Sequence, residues 1–174
     1  MGGGGYGDPL ERDAGAVLAD VSGGLVSVRA AHDIYGVVLT ASDTGVDAQA
    51  TAARRLALRS ERIGRPVDSS VLTHRPITPT GMRLSEYLQR TPDGSTECTW
   101  CGYRVAPPGT NWKDHGVQRR LPLRAAGTRM AATTDFVLLV TCCPSCATLL
   151  DTEVLRGDDP PRHDVIHRWP HAYA

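Results

Sequence analysis

Apolar residues along this chain arrive in short bursts separated by turn signals, and the spacing within each burst predicts an element. Asp8 followed by Pro9 reads as an N-cap and first helical position, and Asp13 opens a second helical pattern through Ala16, Val17 and Val21 that Gly23-Gly24 stops. Ser27 is placed to cap a further turn or two of helix reaching Tyr35, which Gly36 ends. Val37-Val38-Leu39 reads as a short strand before the turn Ser42-Asp43-Thr44-Gly45. Residues 46–63 are rich in Ala and Arg and predict a solvated helix with a narrow apolar stripe. Arg54, Arg55, Arg59 and Arg62 suit its C-terminal dipole, and Gly64 its C-cap. Residues 65–81 carry prolines and no periodicity, which predicts a linker. Beyond it the period shortens: residues 82–88 form a strand or short helix, Phe136 to Cys142 a β-type run, and residues 148–155 a return strand.

The expected fold class is therefore α+β, with a short helical N-terminal tail and a small β-rich domain. The expected divisions are residues 1–64, a linker at 65–81, and residues 82–174. With 5% aromatic residues and a single Phe, neither unit has much apolar volume to bury, so each needs help from a metal or a partner.

That help is written into the second unit. Cys98-Thr99-Trp100-Cys101 and Cys143-Pro144-Ser145-Cys146 are two Cys-x-x-Cys knuckles, the ligand set of a closed tetrahedral zinc site. Two intervening residues let the backbone turn so that both sulfurs face one point. With Cys98, Cys101, Cys143 and Cys146 all bound, no position remains for water or substrate, so Zn2+ here would be structural, the centre of a zinc ribbon. A redox role for Cys98 and Cys101 needs exposed thiolates, which a filled site precludes. Cys142 is left over and reads as a strand residue beside a knuckle.

Formal net charge is zero, which argues against a nucleic-acid binder; Arg119, Arg120, Arg124 and Arg129 are a modest basic cluster with acidic residues nearby. No apolar run approaches the ~18 residues of a membrane span, the start lacks a signal-peptide pattern, and the odd cysteine number fits a reducing compartment. The expected location is the cytoplasm.

Residues 2–63 resemble the C-terminal end of hydantoinase B/5-oxoprolinase proteins. The resemblance is carried by Gly2-Gly3-Gly4-Gly5-Tyr6-Gly7-Asp8-Pro9-Leu10-Glu11-Arg12-Asp13, Ala16 to Val21, and Tyr35-Gly36-Val37-Val38-Leu39. Residues 82–167 resemble the gamma subunit of acetone carboxylase and the small subunit of acetophenone carboxylase. Here the matching stretches are Leu84-Ser85-Glu86-Tyr87-Leu88, both knuckles, Asn111-Trp112-Lys113, and Gly157-Asp158-Asp159-Pro160-Pro161-Arg162-His163-Asp164-Val165. Ala147 stands where many relatives have Gly after the last ligand, which predicts an altered turn with the sulfurs untouched. The resemblances imply hydantoinase A-like and hydantoinase B-like large subunits as partners in a hetero-oligomer, with ATP and a divalent cation on those subunits. They imply an ATP-dependent carboxylase, with a cyclic-amide hydrolase as the alternative, and no catalytic or cofactor-binding residue in this chain. A free-standing zinc-ribbon adaptor for nucleic acid is the other class of reading. Chelation is expected to unfold residues 82–167 and leave the tail docked on its partner.

The remaining candidates have plainer readings. His163 and His167 are four apart with His171 beyond, but prolines bracket the stretch and no carboxylate completes a ligand set. Lys113, the only lysine, reads as a surface ion pair or partner contact. The Gly2 to Gly7 run lacks the Lys-Ser/Thr of a phosphate loop, so close packing inside a partner is expected instead.

Overall fold

The structure is a computed structural model that describes residues 7–73, 77–126 and 135–163. It has the α+β architecture expected: a short helical region followed by a small β-rich domain built around a four-cysteine cluster. The Gly2–Gly5 run, Tyr6, Arg129, His167 and His171 lie outside the described residues.

Side chains that accept backbone N–H groups set the helix starts. Asp8 caps a 3-10 turn at Pro9–Glu11, its carboxylate accepting Leu10 N–H at 2.9 Å. Asp13, Ser27 and Asp47 do the same for α1 (Ala14–Ser22), α2 (Val28–Asp33) and α3 (Ala48–Ile63), at 2.8, 3.1 and 2.9 Å. Gly64 closes α3 in the left-handed conformation, φ 69°. Residues 37–39 give a single bridge, Leu39 to Val46, in place of the expected strand. The reason is the helix beside them: Thr51 of α3 donates to the Val38 carbonyl and accepts its N–H, taking groups a sheet partner would have used. Gly36, φ 62°, sits so close to α3 that a Cβ would lie 2.8 Å from Arg55 Cγ.

The second unit holds two antiparallel sheets. The first joins β1 (Met82–Arg83), β2 (Leu88–Arg90), β3 (Thr96–Cys98) and β4 (Arg104–Ala106) in sequence order; the second joins β5 (Val117–Pro122), β6 (Phe136–Cys142) and β7 (Leu149–Arg156). One knuckle lies between β3 and β4, the other between β6 and β7.

Two apolar clusters result. The smaller, Val17, Val26, Ala31 and Val37, is made by the first two helices and the segments that follow them. The larger runs from Tyr87 and Leu88 through Trp112 to the cysteines, and Leu56 and Ile63 of α3 pack against it. Helix α3 therefore belongs to both units, and its inner face is not solvated as expected: Thr51 and Arg59 are buried. The expected linker is also anchored. Val67 and Val71 enter the larger cluster, Ile77 N–H donates to the Thr99 carbonyl at 2.6 Å, and the buried Gln89 side chain accepts Thr80 and Gly81 N–H. Two valines and a few backbone bonds hold this stretch, too few apolar positions to give a periodic signal.

Candidate metal centre

The two knuckles are built by the same hydrogen bonds. In the first, Gly102 N–H donates to the Cys98 carbonyl at 2.8 Å and Cys98 N–H to the Tyr103 carbonyl at 2.9 Å; in the second, Ala147 N–H donates to the Cys143 carbonyl at 3.0 Å and Cys143 N–H to the Thr148 carbonyl at 2.9 Å. Each turn needs left-handed backbone after its second cysteine, and Gly102 (φ 73°) and Ala147 (φ 58°) both supply it. The expectation that alanine would alter the turn is thus wrong. Ala147 adopts the glycine conformation, at a cost of roughly 1–2 kcal/mol, because it is wholly buried between Cys146 and Thr148, which are buried as well. Ala147→Gly should therefore leave stability within about 1 kcal/mol of wild type, relief of strain being offset by greater freedom in the unfolded chain. Ala147→Val should cost at least 2 kcal/mol, since a β-branched residue is an outlier there and overpacks the site. Urea denaturation distinguishes the two.

The knuckles bring four sulfurs together. Cys98 Sγ lies 3.9 Å from Cys146 Sγ, Cys101 Sγ 3.8 Å from Cys143 Sγ, and all four fall within 4.8 Å of one another. A disulfide would need about 2.05 Å, whereas a tetrahedron with metal–sulfur bonds of about 2.3 Å has edges of about 3.8 Å. The donor set and its spacing fit Zn2+. Hydrogen bonds among the four thiols push Cys98 and Cys143 up and hold Cys101 and Cys146 down, so the four titrate as one group. It is the one such cluster among the described residues.

Cys142 stands apart at the end of β6. It is buried, and burial pushes its thiol up to about 11 despite the opposing field of Arg62; it is a strand residue beside a knuckle, as expected. Lys113 is not at the surface. It is wholly buried beside the Trp112 ring and ion-paired with Asp151 at 2.8 Å and Glu153 at 3.3 Å on β7. His163 is exposed. Arg119 donates to the Glu61 carbonyl, and Arg120 to the carbonyls of Gly157 and Asp159, so these guanidinium groups brace the fold.

The feature that sequence reasoning missed is the grip of the N-terminal segment on the second knuckle. Arg62 makes a two-pronged pair with Asp8, at 2.6 and 2.8 Å, and also donates to the Ala147 carbonyl at 3.1 Å. Asp8 in turn accepts the Leu149 N–H at 2.8 Å. Arg59, 1% exposed, pairs with Glu11, donates to the Cys146 carbonyl at 2.6 Å and to Thr148 Oγ1 at 3.1 Å, and lies over the Trp100 ring. Trp100 meets Tyr87 edge to face at 5.8 Å, and Gly7 packs on Tyr87. Burial drives the Asp8 carboxyl up, but Arg62 and the N–H groups of Leu149 and Leu10 outweigh it and hold Asp8 below the usual range. Burial wins at Glu11, which is raised despite Arg59. A capping Asp and two arginines at a helix end were legible as local devices; their second use was not.

Comparison with models of known protein families gives no match. Among individual proteins, the acetone carboxylase alpha subunit of Xanthobacter autotrophicus is 43% identical over 72 residues, 40% of this chain and 9% of that protein. Caprolactamase subunit beta of Pseudomonas jessenii is 54% identical over 56 residues, 32% of this chain and 10% of that protein. Part of the chain is homologous to acetone carboxylase and caprolactamase enzymes. It spans about a tenth of the length of these relatives. No helix among the described residues is long and apolar enough to cross a membrane.

Proposed function

We propose that this chain is a zinc-binding accessory subunit of a multi-subunit ATP-dependent carboxylase, in which Cys98, Cys101, Cys143 and Cys146 hold one structural Zn2+. The proposed units are residues 1–64, matching the end of a hydantoinase B-like subunit, and residues 82–174, a gamma-like zinc ribbon, joined by residues 65–81. Two observations support the reading together: part of the chain is homologous to two enzyme subunits, about a tenth of each being covered, and residues 8–62 pack against a four-cysteine cluster. The inner side of that stretch grips the knuckle. Elsewhere in it Leu25, Val28 and Ile34 are about half exposed, apolar side chains on which a hydantoinase B-like large subunit would sit. ATP, a divalent cation and the chemistry would reside on the hydantoinase A-like and B-like subunits. The caprolactamase match supports the second reading, a cyclic-amide hydrolase built from the same parts.

Co-expression with such large subunits, followed by native mass spectrometry, tests the assignment. The chain should co-purify as a stoichiometric subunit, and Val28→Asp with Ile34→Asp should release it without loss of its own zinc. Within assembled complexes, Lys113→Ala and His163→Ala should leave turnover within about tenfold, or ~1.4 kcal/mol in barrier. A chain that never associates would sink the reading, and a thousandfold slower assembled variant would place the active site partly in this subunit.

A further inference from the structure

Around the cysteine cluster, one hydroxyl is positioned to act on a sulfur. Thr148 is fully buried, and its Oγ1 lies 3.1 Å from Cys146 Sγ. A hydroxyl has one proton and two acceptor lone pairs. Arg59 occupies an acceptor side, donating to Thr148 Oγ1 at 3.1 Å while its same nitrogen holds the Cys146 carbonyl at 2.6 Å. With a protonated sulfur, Cys146 donates to Thr148 Oγ1; once the sulfur loses its proton to bind metal, the contact persists only with the Thr148 O–H donating to it, since the Arg59 guanidinium cannot accept that proton. When Cys146 is a metal-bound thiolate, that hydrogen bond is charge-assisted and further polarised by Arg59. The donor that sets this up comes from α3, on the other side of the chain's two-unit division.

We propose that Arg59 and Thr148 form a relay that stabilises the Cys146 thiolate, so that tight zinc retention requires the N-terminal segment to be docked. The relay rests on the zinc reading above and not on the identity of the enzyme. Outer-shell partners of metal ligands are worth about 10- to 100-fold in metal affinity. By linkage the same factor strengthens docking of α3 when zinc is bound. The metal site thereby reports whether the N-terminal segment is in place.

Competition for Zn2+ between the full-length chain and a chromophoric chelator measures the effect. Thr148→Val, which keeps shape and removes the hydroxyl, should weaken zinc binding by about 10- to 100-fold, whereas Thr148→Ser should stay within about threefold of wild type. Arg59→Lys, which keeps the charge but loses the fork, should fall on the weak side. Co2+ substitution gives a second readout that does not depend on unaltered stability: loss of a hydrogen bond raises the sulfur lone pair, so the sulfur-to-cobalt charge-transfer band should move to lower energy in Thr148→Val and Arg59→Lys. Zinc affinity of Thr148→Val within twofold of wild type, or an unmoved cobalt band in the variants that fold, overturns the relay. A wild-type chain that binds neither metal would instead overturn the zinc reading beneath it.

Discussion

Chelating the metal should unfold the cysteine-bearing hairpins and release α3 with them. A structural zinc contributes about 10–16 kcal/mol in small metal-dependent domains, as much as or more than the ~5–15 kcal/mol that separates a whole domain from its unfolded state. The ribbon cannot survive that loss. Its second knuckle is also the seat of the N-terminal segment: the Cys146 and Ala147 carbonyls, the Thr148 hydroxyl and the Leu149 N–H all receive groups from residues 8–62. When the turn dissolves, Arg59, Arg62 and Asp8 lose their shared partners, and the four-residue cluster of Val17, Val26, Ala31 and Val37 is too small to order the rest. This departs from the sequence expectation, in which the tail stayed in place. Elemental analysis should find one zinc per chain, and hydrogen exchange after chelation should show α3 and β7 losing protection together. Less than half an equivalent of zinc in native protein, or full zinc in the Cys98→Ser, Cys143→Ser double variant, would defeat the assignment. Protection retained by α3 alone would show that another contact holds the tail.

Asp8→Ala should be strongly destabilising. It leaves the Arg62 guanidinium and the Leu149 N–H without the carboxylate they share, and removing one member of a buried pair costs about 3–5 kcal/mol. Arg12→Ala is the comparison. Its pair with Asp20 is half exposed, so solvent screening limits the loss to about 1 kcal/mol at most. Urea denaturation in zinc-containing buffer should separate the two clearly, and equal losses would mean that the Asp8 pair does not hold the segments together. The pH dependence has a definite sign. Asp8 is lowered in the fold, so its contribution is complete above the ordinary carboxylate range and disappears as pH falls through and below it. Glu11 is raised and works the other way, its contribution being present at low pH and lost as pH climbs through its folded value. Asp8→Asn should thus flatten the acid limb of the stability curve relative to wild type, and Glu11→Gln should steepen it.

The sequence alone determined what depends on near neighbours. A Cys-x-x-Cys turn sets the direction of its own sulfurs, an Asp or Ser cap answers N–H groups two or three residues on, and Gly64 ends α3 because the chain leaves the helix there through left-handed backbone. The bounds of β6 were equally legible, since an apolar run flanked by a knuckle leaves little choice. Tertiary structure decided everything whose partner lies far along the chain. Arg59 and Arg62 read locally as cations suited to a helix C-terminus, and they became the grip on a turn more than eighty residues away. Lys113 read as a surface ion pair or partner contact, yet β7 brings Asp151 and Glu153 to it in the interior. The physical reason is common to these cases: a guanidinium or ammonium can be buried only where folding delivers carboxylates or carbonyls, and a linear pattern of apolar and polar positions contains no record of that delivery.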